Sequence, residues 1–179
     1  SRLPMKTMLL RNLFSALFAL GLASVACGEG PYHFLREIPI GGDGGWDYLS
    51  LDPAAHRLYV THGTKIVVID TTTDTVVGEI AGTPGVHGFA LAPELGRGFA
   101  SDGTTAVASI VDLKTLQTLA RVPTGRGPDA ILYDSGAQEV YTFNGRADTA
   151  TAFSAATGNV LAEIPLPGRP EGAAADPAA

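Results

Sequence analysis

One unit is written three times in this chain. Residues 66–80 read IVVIDTTTDTVVGEI, residues 109–122 read SIVDLKTLQTLARV and residues 152–164 read AFSAATGNVLAEI. Asp70, Asp112 and Ser154 stand 42 residues apart, and so do Ile80, Val122 and Ile164, and Glu79, Arg121 and Glu163. A fixed period of about 40 residues without a helical pattern restricts the chain to a stacked or radial β architecture. Such folds host many unrelated activities, so the period speaks to architecture before chemistry.

Each unit resolves into four short β runs. In the first these are 48–51, 57–61, 65–70 and 75–80, rich in Val, Ile, Thr and Tyr and bounded by Gly, Pro and Asp. The second unit repeats them at 88–91, 97–101, 106–112 and 117–122, and the third at 130–133, 139–143, 149–154 and 159–164. Tyr59 to Phe99 is 40 residues and Phe99 to Tyr141 is 42. The difference falls in the loop between second and third strands, terse at Gly63–Lys65 and longer from Gly103. A length change confined to one loop is what a common strand frame predicts. No segment after residue 30 sustains a period of 3.6.

Four strands per unit of this length predict an all-β fold, a β-propeller of four-stranded antiparallel blades. The blades are expected near 48–80, 88–122 and 130–164, within a partial propeller spanning 32–179. Leu35–Ile40 (LREIPI) matches the closing strand of each unit, VVGEIA, LARVPT and LAEIPL. It is therefore expected to be a strand lent to a final blade, as ring closure requires. Residues 172–179 read as the stub of a fourth unit, with Asp176-Pro177 matching Asp52-Pro53. Propellers use about four to eight blades, so the expectation is a fragment of a longer gene product. The alternative is an open fan with exposed end strands.

The N-terminus carries a targeting pattern. Lys6 and Arg11 precede an uncharged, mostly apolar run of 13 residues, 13–25 (LFSALFALGLASV). That is too short to span a membrane and fits the core of a signal peptide over residues 5–26, with small residues before Cys27. Residues 1–4 read as read-through. The expected setting is periplasmic or extracellular, with no membrane span in the mature chain. Lipid attachment at Cys27 is the lesser reading, because Ser24 stands where a lipobox usually has Leu. Cys27 is the single cysteine, so no disulfide framework exists. A net charge of −6 without a Lys/Arg run disfavours nucleic acid as a partner.

The unit resembles the YVTN-type repeat of YncE-like secreted bacterial β-propellers. The tetrad appears as Tyr59-Val60-Thr61-His62, and the run Val68 to Gly78 (VIDTTTDTVVG) is its most specific match. Asn144 supplies the family's Asn in the third unit. The resemblance covers roughly residues 32–179 and implies a ring of about seven blades in an exported protein. It implies no shared catalytic motif. One relative binds DNA, a property that the acidic balance of this chain argues against.

In a propeller, the loops before each innermost strand share a face with the loops between second and third strands. The frame puts Asp47, His87, Asp129 and Glu171 at equivalent places before the innermost strands. Four polar, mostly acidic side chains at one rim position suit a cation or a polar ligand. The plainer alternative is that they cap loop N–H groups. His62, Asp102 and Asn144, each followed by Gly, form a second equivalent set. Trp46, the one tryptophan, reads either as an apolar platform at the channel mouth or as inter-blade packing.

Catalytic signatures are absent. There is no G-x-S-x-G, H-E-x-x-H or phosphate loop, and the Gly-rich 41–45 precedes a strand rather than a helix. The leading expectation is a non-enzymatic scaffold that binds a small molecule or protein through its polar loop face, with no resident cofactor. A second is a metal-dependent hydrolase of gluconolactonase type, with the rim carboxylates holding a divalent cation and His87 as base. A third is a redox or quinoprotein-like accessory. The lack of C-x-x-C-H excludes covalent c-type haem within this sequence.

Overall fold

The computed structural model describes Gly30 and residues 32–175. The expected signal peptide at 5–26, residues 1–4, Cys27 and stub residues 176–179 lie outside the described residues. The chain divides into two units, the first ending at Glu37. Its described residues, Gly30 and 32–37, carry no regular secondary structure. The unit that starts at Ile38 holds twelve strands in three sheets.

The first sheet is β1 (Trp46–Asp52), β2 (Arg57–His62), β3 (Lys65–Asp70) and β4 (Thr75–Ala81). The second is β5 (Val86–Ala92), β6 (Arg97–Asp102), β7 (Val107–Asp112) and β8 (Thr118–Pro123). The third is β9 (Pro128–Asp134), β10 (Glu139–Asn144), β11 (Thr149–Ser154) and β12 (Val160–Pro165). In each sheet every strand pairs antiparallel with the next in sequence. All twelve expected strands are present, each within two residues of the expected bounds. The β2–β3 hairpin pairs His62 with Lys65, whereas β6–β7 pairs Asp102 with Val107, which accounts for the shorter first interval.

Local chemistry explains the landmarks. Asp70 Oδ1 accepts from the N–H groups of Thr72 and Thr73, and Asp112 Oδ1 from those of Lys114 and Thr115. Ser154 does this once, toward Thr157. These side chains stand in for backbone partners in the turn before the fourth strand, so a small oxygen acceptor recurs there. Hydrogen bonds to the ionised form, from the Thr72 hydroxyl and the turn amides, hold the Asp70 carboxyl below its ordinary value. The Thr115 amide and hydroxyl do the same for Asp112.

Strand alternation gives each sheet two apolar faces. On one face of the first sheet, Tyr59, Ile66, Val68 and Ile80 pack against Phe89, Ala100 and Val111 of the second. On the far face of the second, Phe99, Ala108, Ile110 and Val122 meet Val140, Phe153 and Ala155 of the third. Tyr59 and Phe99 are equivalent, and each is buried against the next blade, a contribution of about 1.5–3 kcal/mol apiece. Rings reinforce both junctions, with Tyr59–Phe89 centroids 5.0 Å apart and Phe99–Phe153 6.0 Å apart edge-on. An arginine ties each junction at its other end. Arg57 donates to the Leu113 carbonyl at 2.7 Å and Arg97 to the Ala155 carbonyl at 2.7 Å.

One element differs from expectation. Residues 35–40 form no strand. A fifth strand needs the free edge of the blade that would complete the ring, and none of the three sheets recruits it. Instead Ile38 and Ile40 pack against Leu58, Val60, Val67 and Ile69 on the open face of the first blade.

Replacing Arg97 with Ala should destabilise the chain by about 1.5–3 kcal/mol, the range for a charged hydrogen bond lost from a packed junction. Urea denaturation would show this as a lower midpoint with an unchanged slope.

Candidate functional site

The innermost strand of every blade breaks register at the same place. Trp46 pairs with His62 and Leu49 with Val60, so Asp47 and Tyr48 together oppose Thr61. Likewise His87 and Gly88 oppose Ser101, and Asp129 and Ala130 oppose Phe143. Each is a β-bulge, which bends the strand and re-aims its side chains. The bulges bring together three residues that lie far apart in sequence. His87 Nδ1 lies 2.7 Å from Asp47 Oδ2 and 4.0 Å from Asp129 Oδ1. The cluster is half-open: the side chains of Asp47, His87 and Asp129 are 41%, 39% and 26% exposed.

Two hydroxyls staple the bulges to one another. Thr61 Oγ1 lies 3.1 Å from the Tyr48 carbonyl and 2.9 Å from the His87 carbonyl, joining the first inner strand to the second. Ser101 Oγ accepts from Gly88 N at 2.9 Å and donates to the Asp129 carbonyl, joining the second to the third. The loops beside them close through backbone bonds from Gly63 to Gly45, Gly103 to Gly85 and Gly145 to Gly127, at 2.9–3.0 Å. Gly85 and Gly127 take left-handed φ values of 66° and 64°. A Cβ there would meet Thr104 Oγ1 at 2.3 Å or Arg146 Cγ at 2.7 Å, so only glycine fits.

The fourth expected member, Glu171, lies beside the other three but is 68% exposed. Its backbone carbonyl accepts from the Tyr48 hydroxyl at 3.2 Å, and its carboxylate lies 3.9 Å from Arg169. Burial first, then the Asp47 and Glu171 charges, raise the Asp129 carboxyl above its ordinary value, while His87 and Arg169 pull it down. Burial and the same acidic neighbours, Asp129 foremost, raise the Tyr48 phenol. His87, Asp129, Arg146, Arg169 and three loop glycines line a polar cavity of about 100 Å³. A cavity of about 140 Å³ lies along the inner strands, between Tyr48, Phe89, Ile131 and Phe143. The rim therefore offers carboxylates, an imidazole and guanidinium groups within one small space.

The second expected set does not share this exposure. His62, Asp102 and Asn144 are 1%, 0% and 0% exposed, inside their blades. Asn144 is satisfied: it donates to Thr149 and Thr151 and accepts from Thr142. His62 Nδ1 lies 3.1 Å from the Gly45 carbonyl. Trp46 is neither inter-blade packing nor buried; it stacks on His62 at 5.1 Å with 6° between planes and is 62% exposed. Thr61, Ser101, Tyr48, Arg146 and Arg169 were not among the expected site residues. A hydroxyl recurring at the fifth residue of the second strand is the one signal that marks the first two.

The chain matches no family model and no curated protein sequence. Its fold does match solved structures. The hydrazine synthase of Kuenenia stuttgartiensis superposes with a TM-score of 0.67 at 15% identity, over 80% of this chain and 41% of that one. The WD40 repeats of RRP9 give 0.65 at 12% identity over 73% and 41%. The WD40 β-propeller domain of Doa1 gives 0.61 at 14% over 71% and 43%. The chain is a partial β-propeller. It spans about two fifths of the length of these propeller-containing chains, and identities this low carry the fold alone. Among the described residues, no helix is long and apolar enough to cross a membrane.

The electrostatics can be checked by carboxyl-carbon NMR. Asp47→Asn should move the Asp129 midpoint down, because the Asp47 charge raises it; His87→Ala should move it up. A raised carboxyl stabilises the fold at low pH and loses that contribution as pH climbs through its folded value. Asp129→Asn should therefore flatten the acid-side stability profile. Thr61→Val should cost about 1–3 kcal/mol, because the strand carbonyls lose a shared donor, and should broaden the His87 ring signals.

Proposed function

We propose that the chain is part of an exported β-propeller that acts as a non-enzymatic binding scaffold, taking a polar ligand or protein segment on the Asp47–His87–Asp129 rim. One observation carries this reading: three consecutive blades each contribute one chemically active side chain from the same bulge to one half-open point. Export rests on Lys6, Arg11 and the apolar run at 13–25. Arg146 and Arg169 border the cavity beside the Asp129 carboxylate, and Glu171 lies 3.9 Å from Arg169, so the rim suits a ligand that carries both charge signs. Small side chains and loop glycines leave room for backbone approach, and no nucleophile–base–orienter arrangement occurs at the described rim.

A second reading, a metal-dependent hydrolase, is supported by one feature. Asp47, His87 and Asp129 each offer a donor atom, all within 4.8 Å of one another. A histidine nitrogen with two carboxylates suits Zn²⁺ or Mn²⁺ better than an all-oxygen cation.

Calorimetric titration of the chain with Zn²⁺, Mn²⁺, Ca²⁺ and free arginine separates the two, alongside a lactone-hydrolysis assay. The scaffold reading expects binding without turnover, weakened at least tenfold by His87→Ala or Asp129→Asn. Metal-dependent turnover lost in the same variants would replace it with the hydrolase reading. Affinities unaffected by either variant would remove the rim as the site.

A further inference from the structure

Asp102 is the one member of its equivalent set that carries an unmatched acid. Its carboxyl is 0% exposed at the end of β6. Oδ2 accepts from Ser109 Oγ at 2.5 Å, and Oδ1 has no hydrogen-bond partner. The third blade shows what the position is built to hold. There Asn144 is served by Thr142, Thr149 and Thr151. In the second blade the register puts Ala100 for Thr142, Val107 for Thr149 and Ser109 for Thr151. Two of the three hydroxyl partners are absent here, and a carboxyl stands where the third blade has an amide.

The loops that lead into the two blades differ at the matching position as well. Gly125 packs against the Asn144 amide, where its Cβ would stand 2.6 Å from Nδ2. The equivalent residue of the preceding loop is Thr83, 0% exposed and also with an unpartnered hydroxyl. An ionised carboxylate has only acceptors to offer such a site, whereas the neutral acid has a proton to donate. The charges around it are few. Arg121 on β8 is the charged group that acts on it, and that guanidinium also donates to the Gly82 carbonyl at 2.9 Å. The loop 82–85 carries no titratable side chain, β7 presents Ser109, and β5 presents His87, whose ring lies over Gly103, the residue after Asp102.

We propose that Asp102 is a proton-operated latch beneath the rim: buried as a neutral acid it leaves the Gly103–Gly85 closure of the adjoining loops intact, and loss of its proton loosens that closure under His87. Burial pushes the carboxyl up to about 6, against the opposing pull of Ser109 and Arg121. The folded chain therefore keeps a proton that the unfolded chain has released. This contribution is complete below the unfolded value of 3.8, is lost across the interval up to about 6, and is flat above it. Gly103 N donates to the Gly85 carbonyl across the same loop at 2.9 Å, so the rim feels any opening directly.

The test is thermal denaturation of the chain and its Asp102→Asn variant between pH 4 and 7.5. The variant carries the third blade's own residue. It should melt roughly 5–10 °C above the parent at pH 7.5, and the two curves should converge toward pH 4. A variant less stable than the parent at pH 7.5, or parallel curves, would overturn the latch. Two measurements on the unaltered chain do not depend on the variant folding. The Asp102 carboxyl carbon should titrate at about 6; a midpoint in the ordinary carboxylate range refutes the proposal. Exchange of the Gly103 amide, corrected for base catalysis, should quicken at least tenfold from pH 5 to 7.5. Unchanged protection would show that the ionisation does not reach the junction.

Discussion

Everything in this fold rests on one interface used repeatedly, the face of a blade against the face of the next. A four-stranded antiparallel sheet with alternating side chains has two apolar faces and cannot bury both alone. Tyr59 and Phe99, at the same place in successive blades, each bury against the following one. The period of 40 to 42 residues is the length of chain needed to build one blade and return to that interface. Where the sequence of neighbours stops, the fold improvises. The first blade's outward face, with Val60, Val67 and Ile69, is covered by Ile38 and Ile40 rather than by another sheet.

The candidate site is a by-product of the same repetition. Stacking blades about an axis converges their inner strands, so equivalent residues become neighbours. Convergence alone gives only proximity. The bulge opposite Thr61, Ser101 and Phe143 lets Asp47, His87 and Asp129 meet at one point. The staples then fix the spacing, since Thr61 and Ser101 reach the next blade's bulge carbonyl. Phe143 stands where the third staple would be and carries no hydroxyl, so the staples cover the two junctions that flank His87.

The strand frame was legible because it depends on local pattern: β-branched runs, Asx turns and a constant period. The equivalence of Asp47, His87 and Asp129 was legible for the same reason. The bulge was not, because every copy contains it, and a defect repeated in each unit leaves the period unchanged. Burial of His62, Asp102 and Asn144 was hidden too. A polar residue before glycine reads as a loop tip, whereas here it closes a strand and turns inward. Leu35–Ile40 shows the opposite limit. Its pattern identifies a closing strand, but a strand also needs an edge to pair with, and pattern alone does not supply one.

The position shared by His62, Asp102 and Asn144 holds three different buried polar groups within one frame. Each residue is fully buried at the end of the second strand, so each must be satisfied from within. Asn144 meets that demand with three neighbouring hydroxyls, a neutral and pH-independent solution. His62 meets it in part: Nδ1 faces the Gly45 carbonyl and an indole stacks on the ring, while Nε2 has no hydrogen-bond partner among the described residues. Asp102 alone leaves an oxygen unserved, in the blade whose inner strand carries His87. With Ala100 and Val107 at the flanking positions, the Asp102 carboxyl is left with one side-chain partner, Ser109. Incomplete satisfaction is thus shared by His62 and Asp102, and what distinguishes the second blade is that the unserved atom there belongs to a buried carboxyl.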